Sequence, residues 1–391
     1  MPTATSTRVL PSGARYDGAV IDGMIFQNWP STAALSPYFE PGWRETVMRP
    51  GDLGGPLSLR ARWLHQHPFG EFRPDSYPPE GVPGSDLGVI GEQVLDVADT
   101  RAAVLGYSDG MLATALNNYW LARETTRAVN RWTLTERLAD PRLRGVVLAC
   151  TAVPETAADD IAEFGRDDRM AAVALGGNCL GRAFGHTVYH PIYQAAAELD
   201  LPIIIQAGSD SMSSLDSSPT AGGLVSTYAQ YATQSSHTLM AHMASMIMSG
   251  VFEKYPNLRV LLVGGGVTWL PAYAWRMDFW FKTTDHETPW VKRLPSEYLA
   301  DHVRVGTHSL EAPRNPAELQ AAFGSWRKFE KLMVYTSGYP RRECELSADV
   351  SVRIPTPWHE SVFHDNAERF FRLSGPSAAA AATESLQKGR R

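Results

Sequence analysis

Eight short runs of apolar, largely β-branched residues recur along this chain, at 19–26, 101–107, 145–152, 171–175, 202–207, 258–263, 303–307 and 332–337. Near-continuous apolarity over such lengths is the pattern of strands buried on both faces, as in parallel sheets. Between the runs lie segments of helical patterning, at 157–164, 191–199, 239–252 and 360–371. Strand and helix alternating eight times predicts a (β/α)8 barrel, with a doubly wound sheet as the alternative. Two intervals are too long for ordinary connections. Residues 27–100, rich in Pro, Gly, Trp and Arg, follow the first run and are expected to form a lid or subdomain; the Ser-rich stretch 209–237 follows the fifth. In a barrel both open at the C-terminal mouth, where such folds place their chemistry. Residues 1–374 read as one domain carrying the 27–100 insertion, and 375–391 as a frayed tail.

Composition narrows the partners. With 391 residues, 44% of them hydrophobic and 20% charged, the chain can bury a sizeable core. A formal net charge of −6 leaves no electrostatic footprint for nucleic acid or an anionic membrane. Cys150, Cys179 and Cys344 are scattered and odd in number, which suits a reducing cytoplasm better than a disulfide framework. No apolar run reaches the ~18 residues of a membrane helix, and the N-terminus lacks a signal-peptide core. The expectation is a soluble cytoplasmic protein that handles a small molecule.

Several segments carry a family resemblance. They are Ile-Asp-Gly-Met-Ile-Phe-Gln-Asn-Trp-Pro-Ser at 21–31, His-Pro-Ile-Tyr-Gln-Ala-Ala-Ala-Glu-Leu-Asp-Leu-Pro at 190–202 and Gly-Val-Phe-Glu-Lys-Tyr-Pro-Asn-Leu-Arg-Val at 250–260. Gly-Gly-Gly-Val-Thr-Trp-Leu-Pro at 264–271 and Tyr-Thr-Ser-Gly-Tyr-Pro at 335–340 complete the set. From about Val20 to Leu373 the chain resembles the amidohydrolase-related family of amino-carboxymuconate-semialdehyde and resorcylate decarboxylases. The resemblance implies an amidohydrolase-type barrel, homodimerisation and metal-dependent decarboxylation. The chain departs from it at the metal positions. The first-strand Asp-x-His or His-x-His places hold Met24 and Phe26, and the fifth-strand histidine is Gln206. Gly264 stands before the sixth-strand glycines, and Gly338 replaces the aspartate of the last strand. A divalent ion needs about three or four converging N, O or S donors. The expectation is therefore no active-site metal and no cofactor.

Period-two alternation places Asp22, Met24 and Phe26 on one strand face, so the old metal centre is expected to become an enlarged, apolar pocket lined by Met24, Phe26, Gly264 and Gly338. Gln206 can orient a carbonyl or stabilise negative charge, or plug the barrel as a structural amide. Asp109, after Tyr107 and Ser108, can be a general base or a turn-forming cap. His308, with Glu311 three residues on, can carry protons or serve structure. Arg341, beside Arg342 and Glu343, suits a substrate carboxylate, or is simply an exposed loop charge. Trp29 and the other insertion aromatics (Tyr38, Phe39, Trp43, Trp63, Phe69, Phe72, Tyr77) can close the pocket or form a small core of their own. Asp22 and His242 read as structural, Cys150 and Cys179 as buried thiols rather than nucleophiles. His65 and His67 form a weak His-x-His pattern without an evident third ligand. Gly264–Gly266 opens no Gly-x-Gly-x-x-Gly helix, which argues against dinucleotide binding.

Without a metal, chemistry falls to acid–base groups and shape. The leading expectation is a metal-independent lyase, cyclase or isomerase acting on an apolar organic acid or polyketide-like intermediate. The Lys-poor, Ala- and Arg-containing composition associates it with bacterial secondary metabolism. The alternatives are metal-independent hydrolysis of a lactone, ester or amide, for which the resemblance offers the pyrone-dicarboxylate lactonase branch, and a non-catalytic ligand-binding scaffold.

Overall fold

A computed structural model describes residues 13–49, 72–116, 118–176, 181–207 and 227–373. Its centre is one eight-stranded parallel sheet in sequence order: β1 (Val20–Gln27), β2 (Thr100–Tyr107), β3 (Leu143–Ala149), β4 (Met170–Leu175), β5 (Ile203–Gln206), β6 (Val260–Val263), β7 (Val303–Gly306) and β8 (Met333–Val334). Main-chain bonds from Gly23 N–H to Tyr335 O and from Phe26 N–H to Tyr339 O join the last strand region to the first. The ring so formed is the (β/α)8 barrel that the eight runs predict, not the doubly wound alternative.

Alternate residues of each strand enter two different cores. Val104, Val146, Leu148, Ala174, Ile204, Leu261 and Val334 pack with Met24 and Phe26 in an inner cluster. Leu105, Val147, Val173, Ile205, Leu262, Val305 and Met333 pack outward against the helices. Burial on both faces is why the strand sequences carry so little polar alternation.

The surrounding helices are longer and more numerous than periodicity suggests. Tyr119–Trp132 starts at Asn118, whose side chain accepts from Leu121 N–H, and Pro316–Phe323 starts at Asn315, which accepts from Ala317 N–H. The segment expected at 239–252 is the helix Tyr228–Met248 followed, after Gly250, by Val251–Lys254. Part of the Ser-rich 209–237 stretch is thus helix rather than loop. The insertion after β1 is tied to the barrel from outside: Arg137, which precedes β3, donates to Gln27 Oε1 and to the carbonyls of Gly84 and Ser85, and Phe72 bridges to Arg341. No helix among the described residues is long and apolar enough to cross a membrane. The expected tail at 375–391 lies outside the described residues, as do Trp63, Phe69, His65, His67 and Cys179.

Candidate active site

The C-terminal ends of β5, β6, β7 and β8 surround a cavity of about 440 Å³. Gln206 ends β5, Gly264–Gly266 follow β6, His308 follows β7, and Arg341 and Glu343 lie beyond β8. Phe26 of β1 forms part of the floor, and Tyr228, Ser235 and Ser236 of the helix Tyr228–Met248 close one side. Of the residues singled out in the sequence, the fold brings Phe26, Gln206, Gly264, His308 and Arg341 into this one space.

His308 is buried, and its Nε2 lies 3.5 Å from Glu343 Oε1, an ion-pair distance when the ring is protonated. The other Glu343 oxygen accepts from the Tyr228 hydroxyl at 2.5 Å. Burial pushes the Glu343 carboxyl up, but the His308 ring, Arg341 and Tyr228 outweigh it and hold it down at about 2. The result is a permanent carboxylate fixed between a ring nitrogen and a phenol. Arg341 stacks over Phe26, its guanidinium carbon 4.8 Å from the ring centre, so a cation and an apolar face share one wall. At the rim Glu311 accepts from Val267 N–H at 2.8 Å, and burial raises its carboxyl above the usual range despite main-chain donors. Gly266 is left-handed at φ 69°, and a Cβ there would run into that carboxylate. The triple glycine is therefore a seat for Glu311, and no dinucleotide loop.

Of the four residues expected to line the pocket, Phe26 and Gly264 do so, whereas Met24 and Gly338 are taken up by packing. Met24 is fully buried beneath the cavity, with its sulfur lying where a Cβ on Gly106 would sit. At the other side the His308 ring occupies the space a side chain on Gly338 would need, and Gly338 holds φ 69°. Close packing accounts for both contacts, because a side chain fills whatever space its neighbours leave. Met24 and Gly338 thus pack beside the site without lining it, and the lining mixes Phe26, Ala207, Ala232 and the glycines with Gln206, His308, Arg341 and Glu343.

A second correction concerns β1. Asp22 pairs with Ala103 but Ile25 with Leu105, three steps against two, so a bulge interrupts the alternation. Asp22 shares the register of the outward-packed Ala103, whereas Met24 and Phe26 belong to the inner cluster. Its Oδ1 accepts from Met24 N–H and Ser337 N–H, stitching β1 to the last strand. Burial raises this carboxyl to about 6 against those bonds and the nearby His308. Among the other candidates, Trp29 is partly buried against the inner cluster and not part of the cavity lining. Asp109 begins the 3-10 turn Asp109–Ala115, and its side chain lies outside the described residues. His242 accepts from Phe184 N–H and stacks on that ring at 4.1 Å, a structural placement.

The family resemblance raises the question of a divalent ion, and the donors answer it. Among the described residues the one group of three or more His, Cys, Asp or Glu with ligand atoms within 4.8 Å of each other is Glu360, His364 and Asp365. That group lies on the helical stretch outside β8 and β1. At the mouth, His308 and Glu343 approach each other, but no third such donor joins them among the described residues. Among the described residues, the donors at the mouth do not make up a divalent-ion site.

Sequence reasoning passed over Tyr228, and it treated Glu343 only as a neighbour of Arg341. Tyr228 had no local signal, since it sits in a Ser-rich stretch and reaches Glu343 across 115 residues of chain. Glu343 had one: a carboxylate in the loop after the last strand, near the level of His308.

Comparison with known proteins agrees with this architecture. The amidohydrolase family model matches residues 63–373, most of the chain and every strand after β1. No curated protein matches. The structure is similar to 5-carboxyvanillate decarboxylase from Sphingomonas paucimobilis, with TM-score 0.62 and 17% identity over 91% of this chain and 99% of that one. An amidohydrolase from Mycobacterium avium subsp. paratuberculosis gives TM-score 0.63 and 16% identity over 90% and 98%. A dihydroxybenzoic acid decarboxylase from a Polaromonas species, solved with bound manganese and 2-nitroresorcinol, gives 0.59 and 18% over 91% and 97%. At such identities these likenesses speak to the fold, and with the family match over the greater part of the sequence they lead to one conclusion: the chain belongs to the amidohydrolase family.

Proposed function

We propose that the protein is a metal-independent enzyme of the amidohydrolase fold that moves a proton on a small organic acid, in a lyase, isomerase or cyclase step. One observation carries this reading: a buried histidine at the barrel mouth faces a carboxylate kept ionised by its surroundings and anchored by Tyr228. A fixed anion beside an imidazole steadies the imidazolium that forms when the ring takes a proton, the arrangement a general base requires. Neither ring nitrogen of His308 has a hydrogen-bond partner among the described residues; Nε2 faces Glu343 at ion-pair distance, which leaves Nδ1 for a ligand. Arg341 supplies positive charge for a substrate carboxylate or a developing enolate, and Phe26 beneath it supplies an apolar face for the carbon skeleton. Gln206 is placed to orient a carbonyl across the cavity. Arg341 beside the Phe26 ring favours an acidic substrate with an apolar skeleton. Among the described residues the donors for a divalent ion do not converge at the mouth, which supports metal independence.

The test is proton exchange. Incubation with a panel of hydroxy, keto and unsaturated organic acids in heavy water, after chelator treatment, should give deuterium incorporation beside a carbonyl with at least one acid. His308→Gln should lower that rate by about 10²- to 10⁴-fold with the fold intact. Exchange that disappears with the chelator and returns with manganese would overturn metal independence. Exchange unaffected by His308→Gln would overturn the assigned base.

A further inference from the structure

The opposite end of the barrel holds a second cavity, of about 300 Å³, lined by Arg259, Arg304, Lys331 and Arg369 together with Phe370 and the single carboxylate Asp301. The fold puts these residues there for separate reasons. Arg259 immediately precedes β6, Arg304 is the second residue of β7, Lys331 comes just before β8, and Arg369 belongs to the helix Asn366–Phe371. Arg304 pairs in register with Leu261 of the inner cluster, so it shares the inward face of the sheet. A charged residue at such a place is expensive unless something answers the charge.

The protein answers it only in part. Arg304 Nη1 donates to Ala300 O and Val303 O, and among the described residues its Nε and Nη2 have no acceptor. Asp301 is already engaged by Arg293 at 2.6 Å, and Asp200, which Arg259 reaches at 2.7 Å, is also shared with Arg372. Lys331 makes one neutral bond, to Ser361 Oγ. Arg369 donates to Asn366 Oδ1 at 3.0 Å, a neutral acceptor, and has Asp365 at 3.7 Å. Burial, followed by the Arg369 and Arg259 charges acting against Asp301, depresses the Arg304 guanidinium. Four cations thus share a concave space lined by one carboxylate, Asp301, which Arg293 already engages; Arg259 and Arg369 have Asp200 and Asp365 to one side, and Arg304 has no carboxylate of its own.

We infer that this cavity is a phosphoryl-binding site at the floor of the barrel, separate from the mouth and independent of the proposed reaction. A doubly charged phosphoryl group supplies the acceptors that Arg304 lacks, and planar guanidinium forks match its oxygens. The volume falls at the low end for small-ligand pockets, room enough for a small phosphate ester as well as the free ion. Phe370, with the Arg259 guanidinium 6.0 Å over its ring, offers such an ester an apolar wall.

The test uses the full chain in phosphate-free buffer, titrated with inorganic phosphate and with glycerol 3-phosphate, against sodium chloride at equal ionic strength. Calorimetry and thermal midpoints should show saturable binding and stabilisation by one or both phosphates and none by chloride. Tighter binding of the ester would assign an organic phosphate, and equal or tighter binding of the ion would assign free phosphate. Arg304→Met should weaken binding at least about tenfold, and Lys331→Ala should weaken it less. Arg341→Met at the mouth should leave it unchanged. Absence of saturable binding, binding that survives both floor variants, or loss with Arg341→Met would each overturn the assignment.

Discussion

At the mouth of the barrel the Glu343 carboxylate has a histidine ring, a guanidinium and a phenol around it, whereas at the floor the Arg304 guanidinium faces two further arginines and a carboxylate already bound by Arg293. The same strands support both ends. The mouth pairs its charges internally, so its groups are held in place before any ligand arrives and can serve proton transfer. The floor matches its charge only in part, Arg304 having carbonyl acceptors alone, which leaves repulsion that an incoming anion would relieve. Paired charge suits chemistry, and surplus charge suits binding.

Three substitutions test that contrast. The largest effect is expected from Glu343→Gln, which keeps an acceptor for Tyr228 but removes the anion. The Glu343 carboxyl is lowered from 4.5 to about 2, so its stabilising contribution is complete above pH 4.5 and is lost as the pH falls towards 2. The variant should be less stable at pH 7 by at most about 3 kcal/mol, with solvent screening reducing that figure, and the gap should close in acid. Urea midpoints at several pH values would show it, and a gap that does not change with pH would mean that the charge is not what matters.

Gly338→Ala comes next. A Cβ on a left-handed backbone, directed into the His308 ring, should cost about 1 to 3 kcal/mol. It should also displace the ring from Glu343, visible as a changed His308 imidazole signal in the NMR spectrum. An alanine variant with native stability and an unmoved signal would break the argument that His308 fills the space of the lost side chain.

The smallest effect has the opposite sign. In phosphate-free buffer Arg304→Met should leave the protein equally stable or more stable by ~1 kcal/mol, since the apolar stem is kept and the repulsion removed. A clear loss of stability would show that the floor, like the mouth, depends on its charge internally.

The barrel was legible because parallel strands buried on both faces must be apolar nearly throughout, and eight such runs leave few architectures open. The helices Tyr119–Trp132 and Trp269–Thr284 were harder to see. The first carries buried polar residues such as Glu124 and Asn130, and the second exposes Trp275, Phe279 and Trp280, so neither shows a clean apolar stripe. His308, Arg341 and Gln206 could be picked out because strand ends in a barrel converge at the mouth. Their partners could not, because Tyr228 lies on a helix that begins beyond the fifth strand's long connection, and side-chain reach across that distance leaves no mark in local pattern.

Sequence alone determined the strand count and the strands' burial, since these follow from residue type and position along a repeating unit. How the barrel mouth is filled was a tertiary matter. Alternation predicted an inward triplet at Asp22, Met24 and Phe26, and one bulge moved Asp22 to the other side of the sheet. The resemblance and strand alternation predicted Met24, Phe26, Gly264 and Gly338 around one hollow, and packing instead drew Met24 over Gly106 and His308 against Gly338. The physical reason is that a side chain's chemistry is local, while the volume it fills and the charge it meets are set by residues far away in the chain.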